Sequence, residues 1–362
     1  MPELSELREK INSIDDKIAE LFEERMKVCG DIGEYKKEYS LPVRDKEREQ
    51  AVLDKAAERI GNDILRPYYG DLQKKIMELS CSYQERLISG MKPAYSGVPG
   101  AYAYIATRRL FPSCEPYPYA NFEQAYMAAE TGECDCAVLP IENSYAGEVG
   151  AVMDMLYSGG LYISRILSLD VEHHLIGLPG ADRKGIKTVI SHPQALAQCD
   201  SFIKERNYKT VEGTNTAAAA KYVKELGDPT TAAIASEETA EIFGLEVIER
   251  KIYTSKNNST RFGVFSRNLN LPDEDAPDEG LGFTMVFTVP DEAGALAMTL
   301  DIIGSHGYNM RALKSRPLKG LSWTYYFYVE GEGNINSIEG QNMLRELSAV
   351  CGDVRHVSSF SY

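Results

Sequence analysis

The feature that most restricts this chain is a proline-free run from Glu3 to Ser40. Leu7, Ile11, Ile14, Ile18, Leu21, Phe22, Val28 and Ile32 recur in it at helical spacing. The only breakers are Gly30 and Gly33, each costing about 1 kcal/mol against alanine. The pattern predicts one helix of roughly 35 residues, over 50 Å long at about 1.5 Å per residue. A small helical domain cannot cover such a rod, so the rod predicts a partner chain and an entwined helical dimer. The cations on it point the same way. Arg25 and Lys36 lie eleven residues apart, close to three turns, and share a face. Arg8 lies about a quarter-turn away from that face. One straight helix cannot aim all three at one ligand, whereas two crossing helices from different protomers can.

A second helix is expected after Pro42, with Asp45, Arg48 and Glu49 at i, i+3 and i+4. Near the end of a third, Ser80 and Gln84 sit at i and i+4. Taken singly, these are the ion pairs of a solvated bundle surface. Together, through LREKINSIDDKIAELFEERMKVCGDIGEYK, PVRDKERE and SCSYQ, about residues 3–88 resemble the all-helical chorismate mutases. The resemblance implies a ligand set of Arg8 from the partner chain with Arg25, Lys36, Asp45, Arg48, Glu49, Ser80 and Gln84. Chorismate is a dicarboxylate that rearranges by a pericyclic shift, which requires no nucleophile. The site must hold the compact conformer and stabilise charge on the breaking ether oxygen. Arginines clamp the carboxylates, Lys36 and Gln84 would donate to the ether oxygen, and Glu49 with the backbone near Asp45 would take the hydroxyl.

The rest of the chain must house at least one more core, because 362 residues exceed what one domain usually holds. The net charge of −15 disfavours nucleic acid as a partner, since phosphate-binding surfaces need clustered Lys and Arg. No apolar run has signal-peptide length or the roughly 20 residues of a membrane span. The seven cysteines are scattered and contain no CxxC pair, and the five histidines do not pair with them at ligand spacing. Reduced thiols in a cytoplasmic protein are expected, with no metal and no organic cofactor.

Ser89–Pro93 reads as a linker, after which short apolar strands alternate with helices as in an α/β domain. Ala137–Ile141 ends in Glu142-Asn143-Ser144, Lys187–Ile190 ends in Ser191-His192-Pro193-Gln194, and Ala232–Ala235 is a third buried strand. Polar groups at strand ends before helices are where open α/β sheets bind ligands, though each taken singly is more often a helix cap. Asn257-Asn258-Ser259-Thr260-Arg261-Phe262 joins amides and hydroxyls to an arginine on entry to a strand, a cluster able to hold a small anion.

These stretches, with Gly147, GTNTAAAA and AAIAS, resemble prephenate dehydratase from about Pro93 to Arg267. The resemblance implies a two-lobed fold like that of periplasmic binding proteins, with the active site in the cleft. The chain would cross between lobes near Val171–His174 and Arg250–Tyr253. Prephenate loses CO₂ and its ring hydroxyl, and departure of hydroxide needs a proton donor. Thr260 is the first expectation for contact with that hydroxyl. Glu142 is a second, if desolvation raises its pKa. Asn143, Ser144, Gln194, Thr214 and Thr216 are expected to hydrogen-bond. Arg261 would hold a substrate carboxylate or brace the loop. His192 reads as structural. Ala103 follows Gly100-Ala101-Tyr102 where family members often carry serine.

Asn268–Gly280 is acidic, holds two prolines and reads as a linker. Beyond it, the pattern predicts strands at Phe283–Val289, Asn309–Arg316, Trp323–Val329 and Val354–Phe360, with helices from Asp291 to Ile303 and from Ile338 to Val350. That βαββαβ order is the ferredoxin-like unit. Through PDEAGALAMTLDIIGSHGYNM and KSRP it resembles the phenylalanine-sensing ACT domain. The resemblance implies that Gly294, Ala295 and Leu296 approach the bound amino acid across a dimer interface. Ser315, Arg316 and Pro317 would set the inhibitory response, with Asn309 in the regulatory set. Lys314 stands where the family usually has Glu, and Ala297 where it often has Val.

The chain is thus expected to be multi-domain: an all-α mutase at 1–90, a two-lobed α/β dehydratase at 93–267, a linker at 268–280 and an α+β ACT domain at 281–362. The implied function converts chorismate to prephenate and then to phenylpyruvate, in a homodimer or higher homo-oligomer with phenylalanine as effector. Two other readings remain: an arogenate dehydratase, or a ligand-binding regulator without catalysis.

Overall fold

The structure is a computed structural model and describes all residues except 1–3, 40, 255–257, 319–323 and 362. Glu3 and Ser40 at the ends of the proline-free run, Asn257 of the polar cluster and the expected strand start at Trp323 lie outside the described residues. The chain divides into two compact units, Met1–Lys92 and Pro93–Tyr362.

The first unit is three helices, α1 (Leu4–Glu38), α2 (Lys46–Arg59) and α3 (Arg66–Ser89). The helical spacing reads through unbroken, so α1 runs for 35 residues. Along its first two-thirds, Leu7, Ile11, Ile14, Ile18 and Leu21 are 43–65% exposed. Its buried positions are Cys29 and Gly33, near the C-terminal end. The glycines that weaken the helix on paper have a packing reason. A Cβ on Gly33 would stand 3.3 Å from Gln84 Cγ, so its absence lets α3 approach α1 closely. Asp45 caps α2 by accepting the Arg48 backbone N–H at 3.0 Å.

The second unit begins with β1 (Pro93–Ser96), α4 (Tyr102–Leu110), β2 (Tyr117–Tyr119), α5 (Phe122–Thr131), β3 (Cys136–Asn143), β4 (Gly147–Glu148), α6 (Gly150–Ser158) and β5 (Tyr162–Asp170). The chain then crosses to β6 (His174–Gly177), β7 (Thr188–Ser191), α7 (Pro193–Gln198), α8 (Asp200–Glu205), β8 (Lys209–Glu212), α9 (Thr216–Leu226), β9 (Thr231–Ala235), α10 (Glu237–Phe243) and β10 (Glu246–Glu249). It returns as β11 (Ser259–Ser266), which inserts between β3 and β5. Two sheets with separate cores result, one lobe around Leu139, Leu156 and Phe265 and the other around Leu175, Val189 and Ile234. β6 to β10 form a five-stranded sheet in the order β10-β6-β9-β7-β8. The first crossing, at 171–173, lies within the expected Val171–His174, and the second leaves β10 at Arg250, where the expected Arg250–Tyr253 begins.

The last six elements are β12 (Leu281–Thr288), α11 (Ala295–Ser305), β13 (Asn309–Pro317), β14 (Tyr325–Glu332), α12 (Ile338–Val350) and β15 (Val354–Ser361). They keep the βαββαβ order. The first helix starts later than Asp291, because Gly294 adopts φ +89° and only Ala295 enters the helix. β15 lies parallel beside β5 at Ser358 and Ile163, so the first lobe and these strands share one ten-stranded sheet among the described residues. The preceding acidic segment is held by its backbone. The fully buried Asn334 side chain donates to the carbonyls of Asp273, Glu274 and Ala276 at 2.8–3.2 Å.

Candidate functional sites

In the helical unit, Arg25 donates to the Ser80 hydroxyl, which donates onward to the Ile76 carbonyl at 2.6 Å. Lys36 Nζ donates to the Val43 carbonyl at 2.5 Å in the loop before α2. Gln84 is 6% exposed, and its Oε1 has no partner among the described residues. Burying an amide oxygen unpaired costs about 1–3 kcal/mol. Glu49 Oε1 lies 3.9 Å from Cys81 Sγ, and burial, then Glu49, pushes that thiol's pKa up. Arg48 is exposed, and the Asp45 carboxylate is occupied as the α2 cap. Arg8 stands apart from this group, since 28 residues of helix separate it from Lys36, about 40 Å.

The second site is built on one strand pair. β11 runs antiparallel to β3, with Thr260 opposite Asn143 and Arg261 opposite Glu142. Side chains alternate along a strand, so these two cross-strand pairs face opposite sides of the sheet. Thr260 and Asn143 border a cavity of about 380 Å³ between the lobes, with Phe122, Gln194, Thr216, His173 and His192.

The polar groups here are fixed in sense as well as place. Asn143 Oδ1 accepts the backbone N–H groups of Tyr145 and Ala146 at 3.0 and 2.8 Å. Its Nδ2 must therefore be the donor, its two protons shared among the Ser259 carbonyl at 3.1 Å, Asn258 Oδ1 at 2.8 Å and Thr260 Oγ1 at 2.9 Å. Thr260, only 8% exposed, accepts from Asn143 and keeps its own hydroxyl proton to donate. Asn258 Nδ2 then donates to Gln198 Oε1 at 3.0 Å, and that oxygen also accepts His173 Nε2–H at 2.7 Å. Gln198, Asn258 and His173 were not anticipated from sequence. Gln198 closes the SHPQALAQ run and Asn258 lies in the Asn-Ser-Thr cluster, so both stood inside recognised motifs. His192 caps α7, accepting the Gln194 backbone N–H at 3.2 Å.

Four of the expected residues, Glu142, Ser144, Thr214 and Arg261, lie outside the cavity lining. Glu142 contacts Lys314 at 2.8 Å and Arg261 at 3.6 Å, so it sits between cations rather than in an apolar recess. Arg261 braces Glu330 of β14 with two hydrogen bonds of 2.9 and 3.3 Å. Burial opposes its charge, but Glu330 outweighs that and the guanidinium pKa is raised. The period-two alternation that puts Thr260 in the cleft turns its neighbour toward β14. Ser144 also lies outside the cavity lining, with its Oγ accepting the Ser259 N–H at 2.9 Å. Thr214 is exposed and outside the lining, because the turn before α9 presents Asn215 and Thr216 instead.

Among the last six elements, Gly294 caps α11 and Ala295 is buried. Asn309 donates to Glu332. β13 carries Ser315 and ends at Pro317, and Arg316 between them reaches Asp154 of α6 at 2.9 Å and Glu148 at 3.5 Å. Among the described residues no cluster of His, Cys, Asp and Glu could hold a metal ion, and no helix is long and apolar enough to cross a membrane.

Two family models match this chain. The family model for chorismate mutase type II matches residues 7–85, and that for prephenate dehydratase matches residues 94–270. The bifunctional chorismate mutase/prephenate dehydratase of Escherichia coli K12 is 31% identical over 95% of this chain and 92% of that protein. The arogenate dehydratase/prephenate dehydratase 1 of Arabidopsis thaliana is 32% identical over 74% of this chain and 71% of that protein. The structure of prephenate dehydratase from Arthrobacter aurescens in complex with L-Phe is 29% identical, with a TM-score of 0.68 over 75% of this chain and 90% of that one. With both family models matched in order, and nearly the whole chain aligned to proteins that join them, this chain belongs to the bifunctional chorismate mutase/prephenate dehydratase family.

Proposed function

We propose how this chain's residues divide the work of its two activities. The enzyme converts chorismate to prephenate and prephenate to phenylpyruvate, CO₂ and water, two steps of phenylalanine biosynthesis. In the mutase, Arg25 clamps a carboxylate, and Lys36 and Gln84 donate to the ether oxygen as its bond to the ring breaks. Glu49 and the capped turn at Asp45 and Arg48 hold the ring hydroxyl, and Ser80 fixes Arg25. Arg8 serves the partner's site. The exposed apolar stripe of α1, from Leu7 to Leu21, supports an entwined dimer, since a monomer would leave that stripe in water.

In the dehydratase, Thr260 donates to the leaving hydroxyl, and Asn143 orients it. Gln194 and Thr216 complete the polar wall. The observation that carries this reading is the fixed polarity at Thr260: its oxygen takes an amide proton from Asn143 and leaves its own proton to give. The last domain acts as an ACT domain that binds phenylalanine near Gly294, Ala295, Leu296 and Asn309. The signal passes through the Ser315-Arg316-Pro317 end of β13, whose Arg316 touches the dehydratase lobe. Millimolar phenylalanine lowers the dehydratase rate on this reading, and an unchanged rate removes it.

The decisive experiment adds chorismate to purified protein and follows prephenate and phenylpyruvate. Lys36→Ala is expected to stop prephenate formation, and Thr260→Ala to accumulate prephenate. A full dehydratase rate in Thr260→Ala would overturn the assignment of the cleft.

A further inference from the structure

The hydrogen-bond polarity that starts at the Tyr145 and Ala146 backbone reaches His173 and stops there. Each amide on the way has its sense fixed by its neighbour, so neutral His173 carries its proton on Nε2 and its lone pair on Nδ1. That Nδ1 is buried and has no partner among the described residues, in a side chain only 3% exposed that borders the interlobe cavity. A buried acceptor left unpaired costs about 1–3 kcal/mol.

The cavity has a second oddity. Prephenate brings two carboxylates, yet no Lys or Arg is among the described lining residues. His173 and His192 are the only lining groups there that can become cations. They are not equivalent. His192 Nδ1 already accepts the Gln194 N–H, so a second proton on that ring breaks a helix cap. A second proton on His173 displaces nothing and supplies a donor where the lone pair stands.

We infer that His173 is the proton donor of the dehydratase: it takes a proton on Nδ1 when the dianionic substrate fills the cleft and delivers it to the departing ring hydroxyl. This rests on the reading that the Thr260 cleft is the dehydratase site. As the ring carboxylate leaves as CO₂, its C–C electron pair moves into the ring. The ring C–O bond breaks, and the oxygen keeps that pair and takes the Nδ1 proton to become water. Neutral His173 regains its proton from solvent, so one proton is consumed per dianion converted to phenylpyruvate monoanion, CO₂ and water. Thr260 holds the oxygen, and a threonine hydroxyl alone is too weak an acid to supply a free proton.

The surroundings keep the resting ring neutral. Burial lowers the His173 pKa most, the Gln198 hydrogen bond works against that, and neighbouring His174 lowers it further. The rings of Tyr102 and Tyr253 meet it edge-on at 6.4 and 6.2 Å, and the Glu172 carboxylate beside it is engaged by Lys251 at 2.7 Å. The substrate's two negative charges supply the opposing push.

The test uses the full chain with prephenate as substrate. His173→Gln places an amide near the Nε2 position, which can still donate to Gln198, and removes Nδ1. The expected result is a fall in kcat of about 10²-fold or more, KM near wild type, unchanged melting temperature and unchanged mutase rate. Wild-type kcat should decline as pH rises through the His173 pKa of the complex, and that limb should vanish in the variant. Added imidazole should restore rate to His173→Ala, which serves equally if the glutamine variant does not fold. A wild-type rate in His173→Gln overturns the inference, and so does a lost rate with the pH limb intact or no imidazole rescue. Thr260→Ala run alongside separates the two ideas: a full rate there refutes the cleft itself, whatever His173 does.

Discussion

Thr260 and Arg261 are adjacent on one strand, and their side chains serve opposite faces, so replacing each should break a different property. In Thr260→Val the shape is kept and the hydroxyl lost. Asn143 Nδ2 has two protons and retains the Ser259 carbonyl and Asn258 Oδ1 as acceptors, so nothing buried is orphaned. The stability cost should stay within about 1 kcal/mol. The missing donor faces the leaving group, where one preorganised hydrogen bond is worth about 10²–10³ in kcat. In Arg261→Met the reverse holds. Glu330 is 8% exposed on its side chain and loses both guanidinium hydrogen bonds, keeping among the described residues only Tyr328 Oη at 3.4 Å. Removing one partner of a buried pair costs 3–5 kcal/mol, and because Arg261 is 28% exposed we take the lower end, about 3 kcal/mol. For a unit of this size that is a fall in melting temperature of roughly 6–12 °C. Dehydratase rate per folded molecule, assayed well below the transition, should remain near wild type. Calorimetry and prephenate turnover on the two variants decide the matter. An Arg261→Met protein with an unshifted melting temperature and a lost rate would refute the face assignment, and with it the bracing role.

Further outcomes follow from the same geometry. Gly33→Ala should lower the mutase rate and spare the dehydratase, because the new Cβ would press on Gln84 Cγ at 3.3 Å; equal loss of both rates would contradict this. His356 is held near a pKa of about 4 by burial, partly offset by its bond to the Ser358 carbonyl. The unfolded chain takes up that proton first, near its ordinary value of about 6.5, so stability falls as pH drops from there toward 4, by about 3 kcal/mol in all. Denaturant titrations at stepped pH should show this slope in the wild type and lose it in His356→Gln. Lys314→Glu sets a third carboxylate against Glu142 and Glu148, which now lie 2.8 and 3.3 Å from the Lys314 amine. It should lower the melting temperature and alter the response to phenylalanine, and inhibition curves superimposable on wild type would argue against any signal through β13.

How much of this was legible in the chain depends on the range of the interactions concerned. Helical periodicity is local, so α1 was readable from Leu7 to Ile32, and so was its lack of a covering partner. The βαββαβ order was also accessible, because apolar runs mark strands, and the motifs singled out Asn143 and Thr260 without showing that they pair. The sequence could not say which face each motif residue would take. Asn-Ser-Thr-Arg-Phe reads as one polar cluster, yet the pairing of β11 with β3 sends Thr260 to the cleft and Arg261 to Glu330. A register offset of one residue would have exchanged them. Nor could it give Glu142 its cations, since Lys314 arrives from β13, more than 170 residues away. The orphaned nitrogen of His173 is a property of four side chains brought together from distant segments, and only the assembled lobes fix the sense of each hydrogen bond that leads to it.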